Sequence, residues 1–144
     1  MSLYQLVYYS ENAMEGDKRA QLQNLRDILE VSQKNNQKKN VTGGLIFDQK
    51  WFLQILEGEL EDVMETYNRI AHDDRHKNAT VIKKEPINER RFNDWSMGGM
   101  MRTPEMQEVF LQHGISGEID PTRLSGNDVV ELAADLQTYM QGQT

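Results

Sequence analysis

The side chains with chemistry to offer are polar residues set where apolar ones belong. The run "WFLQILEG" (51–58) alternates like a strand buried on both faces, with Trp51, Leu53 and Ile55 along one and Phe52 and Leu56 along the other. Gln54 sits in the middle of it. A carboxamide carries two donors and two acceptor lone pairs, and leaving it unpaired in an apolar layer costs about 1–3 kcal/mol. A second anomaly lies at the end of a helical stripe. Leu22, Leu25, Leu29 and Ser32 recur at i, i+3, i+7 and i+10, with Ile28 on the flank; Asn36 extends the spacing and Asn35 sits beside it. The third is Tyr8, which shares a strand face with Tyr4 and Leu6 and needs a hydroxyl partner if buried.

If the faces align, Tyr8, Gln54, Ser32 and Asn36 converge between sheet and helices, flanked by Ile28 and Ile70. Such a set suits a flat heteroaromatic ring with donors and acceptors along its edge. Each residue also has a plain reading. A buried Gln is more often satisfied by backbone, an Asn at a helix end is usually a cap or turn residue, and a strand Tyr is usually core with its hydroxyl at the rim. Only convergence favours a ligand.

Other chemistries find less support. His72 and His76 stand four apart with Asp73 and Asp74 between them, a spacing that could bring two imidazoles to one metal ion, but there is no "HExxH" and the third histidine is the distant His113. No "GxSxG" elbow or Walker-type loop occurs, and "TGGL" opens a strand, where its glycines serve close backbone packing or a bulge. An enzyme is not expected. The absence of cysteine excludes disulfides, thiolate metal sites and a cysteine nucleophile. A net charge of −7 opposes binding to nucleic acid or anionic membrane surfaces. The start shows no signal-peptide pattern and no apolar run reaches the length of a membrane span, so a cytoplasmic protein is the expectation.

These residues need elements to position them. With 144 residues, 38% hydrophobic and 27% charged, the chain has the size and composition of an ordinary globular domain. "LYQLVYY" (3–9) reads as a strand, and residues 18 to about 36 as an amphipathic helix. "VTGGLIFD" (41–48) and "KWFLQILEG" (50–58) form a hairpin. "ELEDVMETYNRIAHDDRH" (59–76) makes a second amphipathic helix, its stripe running through Leu60, Val63, Met64, Tyr67, Ile70 and Ala71. "ATVIKKEPI" (79–87), ending at or disturbed near Pro86, and "RRFNDWSMGGM" (90–100) read as two more strands. The order βαββαββ predicts an α+β, ferredoxin-like sandwich: a mixed sheet with two helices on one face. After Met101, Thr103 caps a third helix with Pro104 in its first turn and Gly114 as its stop, and residues 125–141 form a fourth. This divides the chain into a domain at 1–101 and a helical appendage at 102–144. The appendage is too small to fold alone, so it packs on the sheet's free face or on another chain.

"LVYYS", "ILEVSQKNN", "VTGGLIFDQKWFLQILEG", "DDRH" and "RRFNDWSM" occur in that order over residues 2 to 100, and together the chain resembles a BLUF domain, the FAD-binding blue-light sensor. The resemblance implies a ferredoxin-like fold holding FAD noncovalently between its two helices. It assigns Tyr8 as the redox-active tyrosine and Gln54 as the glutamine bridging it to the flavin. It makes Asn36 the asparagine at the ring's edge, Ser32 and Asn35 neighbouring polar contacts, and Ile28 and Ile70 the apolar residues on either side of the ring. Asp73, Arg75 and His76 would close the pocket, a better role for "HDDRH" than metal. Trp95 and Met97 match the pair that moves or repacks when the switch fires; being two apart, they share a sheet face. No cyclase or phosphodiesterase domain follows within the chain, which implies a short, stand-alone member. Its output would pass to a downstream protein partner, and an apolar stripe on the fourth helix makes a homo-oligomer the expectation. The alternatives are a ferredoxin-like module binding another small molecule in the dark, and a metal-dependent enzyme using His72 and His76.

Overall fold

A computed structural model describes residues 3–48, 50–93, 98–101, 103–117 and 119–141. The elements run β1 (Leu3–Asn12), α1 (Lys18–Lys39), β2 (Thr42–Asp48), β3 (Trp51–Glu59), α2 (Leu60–Ala71), β4 (His76–Pro86), β5 (Gly98–Met101), α3 (Gln107–Gln112) and α4 (Gly126–Gln141). The five strands lie in the order β4-β1-β3-β2-β5. All neighbours are antiparallel except β2 and β5, which are parallel. The mixed sheet and the βαββαββ order are those expected from the sequence.

Strand alternation divides the core in two. Leu6, Tyr8, Phe52 and Leu56 pack with Leu25 and Ile28 of α1 and Val63 of α2. Val7, Leu53 and Ile55 pack on the other side with Phe110 of α3 and Val129, Leu132, Ala133 and Leu136 of α4. The sheet is thus the middle of three layers, and the C-terminal helices cover its second face. The apolar stripe of α4 is buried within its own chain, which removes the ground on which it suggested a homo-oligomer.

Several boundaries differ from the sequence reading. α1 runs three residues past Asn36, because the polar run tolerates helix until Asn40 takes a left-handed φ of 54° and its N–H closes on the Asn36 and Gln37 carbonyls. At the other end Asp17 caps the helix, accepting from the Ala20 N–H at 2.9 Å. α2 stops at Ala71 rather than His76, and β4 begins at His76 rather than Ala79. The turn between them is closed by Asp73, which accepts from the Arg75 N–H at 2.9 Å and so gives the backbone an alternative to helix. Pro86 is the last residue of β4, which is an edge strand. The third helix is split into a 3₁₀ turn at Pro104–Met106 and α3, and Thr103 makes no side-chain cap bond.

The largest correction concerns the fifth strand. Its described residues are Gly98–Met101, and "RRFN" (90–93) is irregular. The N–H groups of Arg91 and Phe92 donate to the Glu57 carboxylate, at 2.9 and 2.8 Å, and are unavailable to a sheet ladder. Trp95 and Met97 lie outside the described residues. Gly43 of "TGGL" serves close packing: a Cβ there would fall 1.8 Å from the Ile55 carbonyl oxygen.

Candidate functional site

The antiparallel register of β1 and β3 sets Tyr8 directly opposite Gln54. Both point toward the α1/α2 layer, with Tyr8 0% and Gln54 2% exposed. The Tyr8 hydroxyl donates to Gln54 Oε1. Burial, reinforced by Tyr67 and by the negative charge of Asp73, raises the Tyr8 pKa well above the ordinary phenol value. The phenol therefore stays protonated at neutral pH and keeps a hydrogen to donate. Tyr67 of α2 meets the Tyr8 ring edge-on, with centroids 5.0 Å apart at 73°.

One stripe of α1 supplies Ile28, Ser32 and Asn36, all buried. Asn35 is half-buried on the flank of that stripe. Ile70 of α2 is half-buried and packs on the same apolar cluster as Tyr8 and Ile28. Asn36 is 0% exposed, so a carboxamide is held in the layer beneath α1 as another is held on β3. Each amide offers both donor and acceptor capacity to this layer.

The α2–β4 turn contributes charge. Arg75 forks onto Asp73, with Nε to Oδ1 at 2.9 Å and Nη2 to Oδ2 at 2.6 Å. That fork holds the Asp73 carboxyl down at about 2. Asp73 acts on Tyr8, and the Arg75 guanidinium feels Asp27 of α1, so the turn lies within electrostatic reach of both β1 and α1. His76, the first residue of β4, is buried against the Phe52 ring, centroids 4.4 Å apart, with Nδ1 2.8 Å from Ser10 Oγ. Burial, outweighing the attraction of Asp73, lowers its pKa to about 4, so the imidazole is neutral at physiological pH.

His72 does not join this group. It is exposed, with Nδ1 2.7 Å from the Asn68 carbonyl oxygen. The helical spacing that paired it with His76 fails because α2 has already ended. Among the described residues no group of three or more His, Asp or Glu side chains is placed to hold a metal ion.

Three polar participants escaped the sequence reading. Ser10 lies two residues beyond Tyr8 on the same strand face, a signal that alternation carried. Tyr67 falls in the apolar stripe of α2 and reads as core. Glu57, near the end of β3, is 0% exposed on the opposite sheet face.

Comparison with known proteins bears on the family and the fold. A family model described as "BLUF: Sensors of blue-light using FAD" matches residues 3–98. Photoactivated adenylate cyclase subunit beta of Euglena gracilis is 31% identical over 94 residues, 61% of this chain and 11% of that protein. The chain therefore spans about a tenth of the length of the curated relatives it matches. Among solved structures, BlsA in its photo-activated state superposes with a TM-score of 0.79 at 29% identity, covering 93% of this chain and 94% of that one. BlrB, a BLUF protein in its dark state, gives 0.79 at 25% identity, covering 96% and 97%. With its family-model match spanning most of the length and a register that pairs a buried tyrosine with a buried glutamine, the chain belongs to the BLUF family of blue-light sensors.

Proposed function

We propose that this chain is a blue-light photoreceptor that holds FAD noncovalently against the sheet face carrying Tyr8 and Gln54, and that its signal is a rearrangement of the Gln54 hydrogen bonds. The observation that carries the reading is the buried hydrogen bond from Tyr8 to Gln54 Oε1. The donor set fits the group. Amides at Gln54 and Asn36 and the Ser32 hydroxyl match the nitrogens and carbonyls along a flavin's edge, and Ile28 and Ile70 offer apolar surface to its ring faces. Asp73, Arg75 and His76 supply the polar side of the pocket.

A bound flavin supplies absorption of blue light and, once excited, an acceptor for one electron. Tyr8 is the group placed to donate. Loss of an electron would make the phenol strongly acidic, so its proton would move along the hydrogen bond to Gln54 Oε1, and electron and proton would both return to Tyr8 once the amide has turned. Gln54 presents an acceptor on one end of its amide and a donor on the other, so turning it over exchanges its partners without moving the backbone. Leu has neither end and Glu lacks the N–H donor. The altered hydrogen bonding shifts flavin absorption to the red and is passed to a downstream protein partner, with Trp95 and Met97 proposed as the relay. Some relatives are photoactivated adenylate cyclase subunits in which the matched region is about a tenth of the length, which suits a sensor module whose output is carried elsewhere.

The test is the visible spectrum of the purified protein. We expect a yellow protein whose flavin bands move slightly to the red in blue light and return in darkness, with FAD rather than FMN released on denaturation. A protein that stays colourless after incubation with FAD overturns the reading, and a flavoprotein without a light-dependent shift overturns its photochemistry. Light scattering in both states reads self-association.

A further inference from the structure

Glu57 is a buried carboxylate that the proposed photochemistry does not use. It lies three residues after Gln54 on β3 and points to the opposite face, into the layer beneath α4. Its oxygens accept from the Gln5 side-chain N–H at 2.8 Å, the Arg91 N–H at 2.9 Å and the Phe92 N–H at 2.8 Å. A carboxylate removed from water in this way is tolerated only because those donors replace its hydration.

Two limbs lead from Glu57 to α4. The first runs through Gln5, whose Oε1 accepts from Lys83 Nζ at 2.7 Å; Lys83 Nζ also donates to Asn127 Oδ1 at 2.7 Å. α4 is pressed close here, since a Cβ on Gly126 would fall 2.4 Å from Lys83 Cβ. The second runs through Arg91, whose backbone is held by Glu57 and whose guanidinium forks onto Glu131 at 2.9 and 3.2 Å. Asn127 and Glu131 are four residues apart, on one face of α4. Arg90 secures the same segment, donating to the Glu57 carbonyl and Thr42 Oγ1, both at 2.8 Å.

We propose that Glu57 is a positioning residue for signal output: its carboxylate ties α4 to the strand that carries Gln54, so that a hydrogen-bond change on one face of the sheet reaches the helix on the other. This inference rests on the photoreceptor reading. A carboxylate oxygen can only accept, whereas Glu57→Gln puts an amide N–H against one of the three donors and breaks the arrangement without changing its volume.

The experiment is hydrogen exchange of the full chain with its flavin, in darkness and under blue light, read on peptides covering residues 126–141. In the unmodified protein we expect a light-minus-dark difference in α4. Glu57→Gln should keep the flavin and its red shift and lose the α4 difference. A purely structural role would lower the melting temperature but leave the difference in place. Retention of the difference in Glu57→Gln overturns the inference, as does an unmodified protein that shifts to the red while α4 stays silent. An unmodified protein with no red shift overturns the photoreceptor reading and this inference with it. If Glu57→Gln fails to retain flavin, Asn127→Ala/Glu131→Ala, two exposed changes that cut both limbs, carries the same comparison: loss of the α4 difference supports the inference and its retention overturns it.

Discussion

Replacing Tyr8 by Phe deletes one oxygen from a site with no solvent to take its place. Tyr8 is 0% exposed and its acceptor, Gln54, 2%. Phe retains the ring contact with Tyr67 and the packing against Leu6 and Ile28, so the change isolates the hydroxyl. Because the phenol is held protonated by burial, the bond lost is one between neutral groups, whose net worth is about 0.5–1.5 kcal/mol. The cost rises to about 1–3 kcal/mol when a buried acceptor loses its donor. For a chain of this length each kcal/mol moves the melting temperature by roughly 3 °C, so Tyr8→Phe should melt about 3–9 °C lower in darkness. The second readout is spectral: flavin should still bind, and the red-shifted state should vanish. Calorimetry and a light-minus-dark absorption spectrum on one sample give both numbers. A normal red shift in Tyr8→Phe refutes the assignment of Tyr8 as donor. An unchanged melting temperature refutes the energetic weight given to its hydrogen bond.

Two further outcomes follow from the structure. His76 has its pKa lowered from 6.5 to about 4, so the unfolded chain binds more protons between those values; the stability His76 contributes is complete above pH 6.5 and lost as pH falls toward 4, about 3 kcal/mol in all. Denaturant titrations at steps of pH should show that slope and His76→Gln should flatten it, while an equal slope in both proteins would assign the acid lability elsewhere; Asp73, held near 2 by Arg75, titrates below this window. Leu136→Ala empties a site that is 0% exposed between α4 and the sheet, and should cost about 2–5 kcal/mol in urea unfolding while leaving the red shift intact, because Leu136 lies on the sheet face opposite Tyr8. A loss below about 1 kcal/mol would show that α4 is not seated as described.

Alternation and helical spacing carried the sequence reading far. In "WFLQILEG" the period of two assigns each residue to its face, so that Gln54 stands out as a polar group in a buried layer. The α1 stripe identified Ser32 and Asn36 in the same way, and both are buried. Such patterns succeed because burial is sorted locally, by which side of one element faces the core. The turn at Asp73–Arg75 misled the same reasoning, since "HDDRH" keeps a helix-like spacing while an aspartate side chain competes for the backbone. The metal pairing of His72 with His76 failed with it.

What the sequence by itself determined is the order of the elements, the faces of the sheet and the polar residues held where apolar ones belong. What only the tertiary structure decided is who their partners are. Tyr8 meets Gln54 across 46 positions, Glu57 holds Arg91 and Phe92 across 34 and 35, and α4 covers its own sheet rather than a neighbour's. Local periodicity reports that a side chain is buried. It cannot report what it is buried against, because that is set by strand register and layer packing, which join segments distant along the chain.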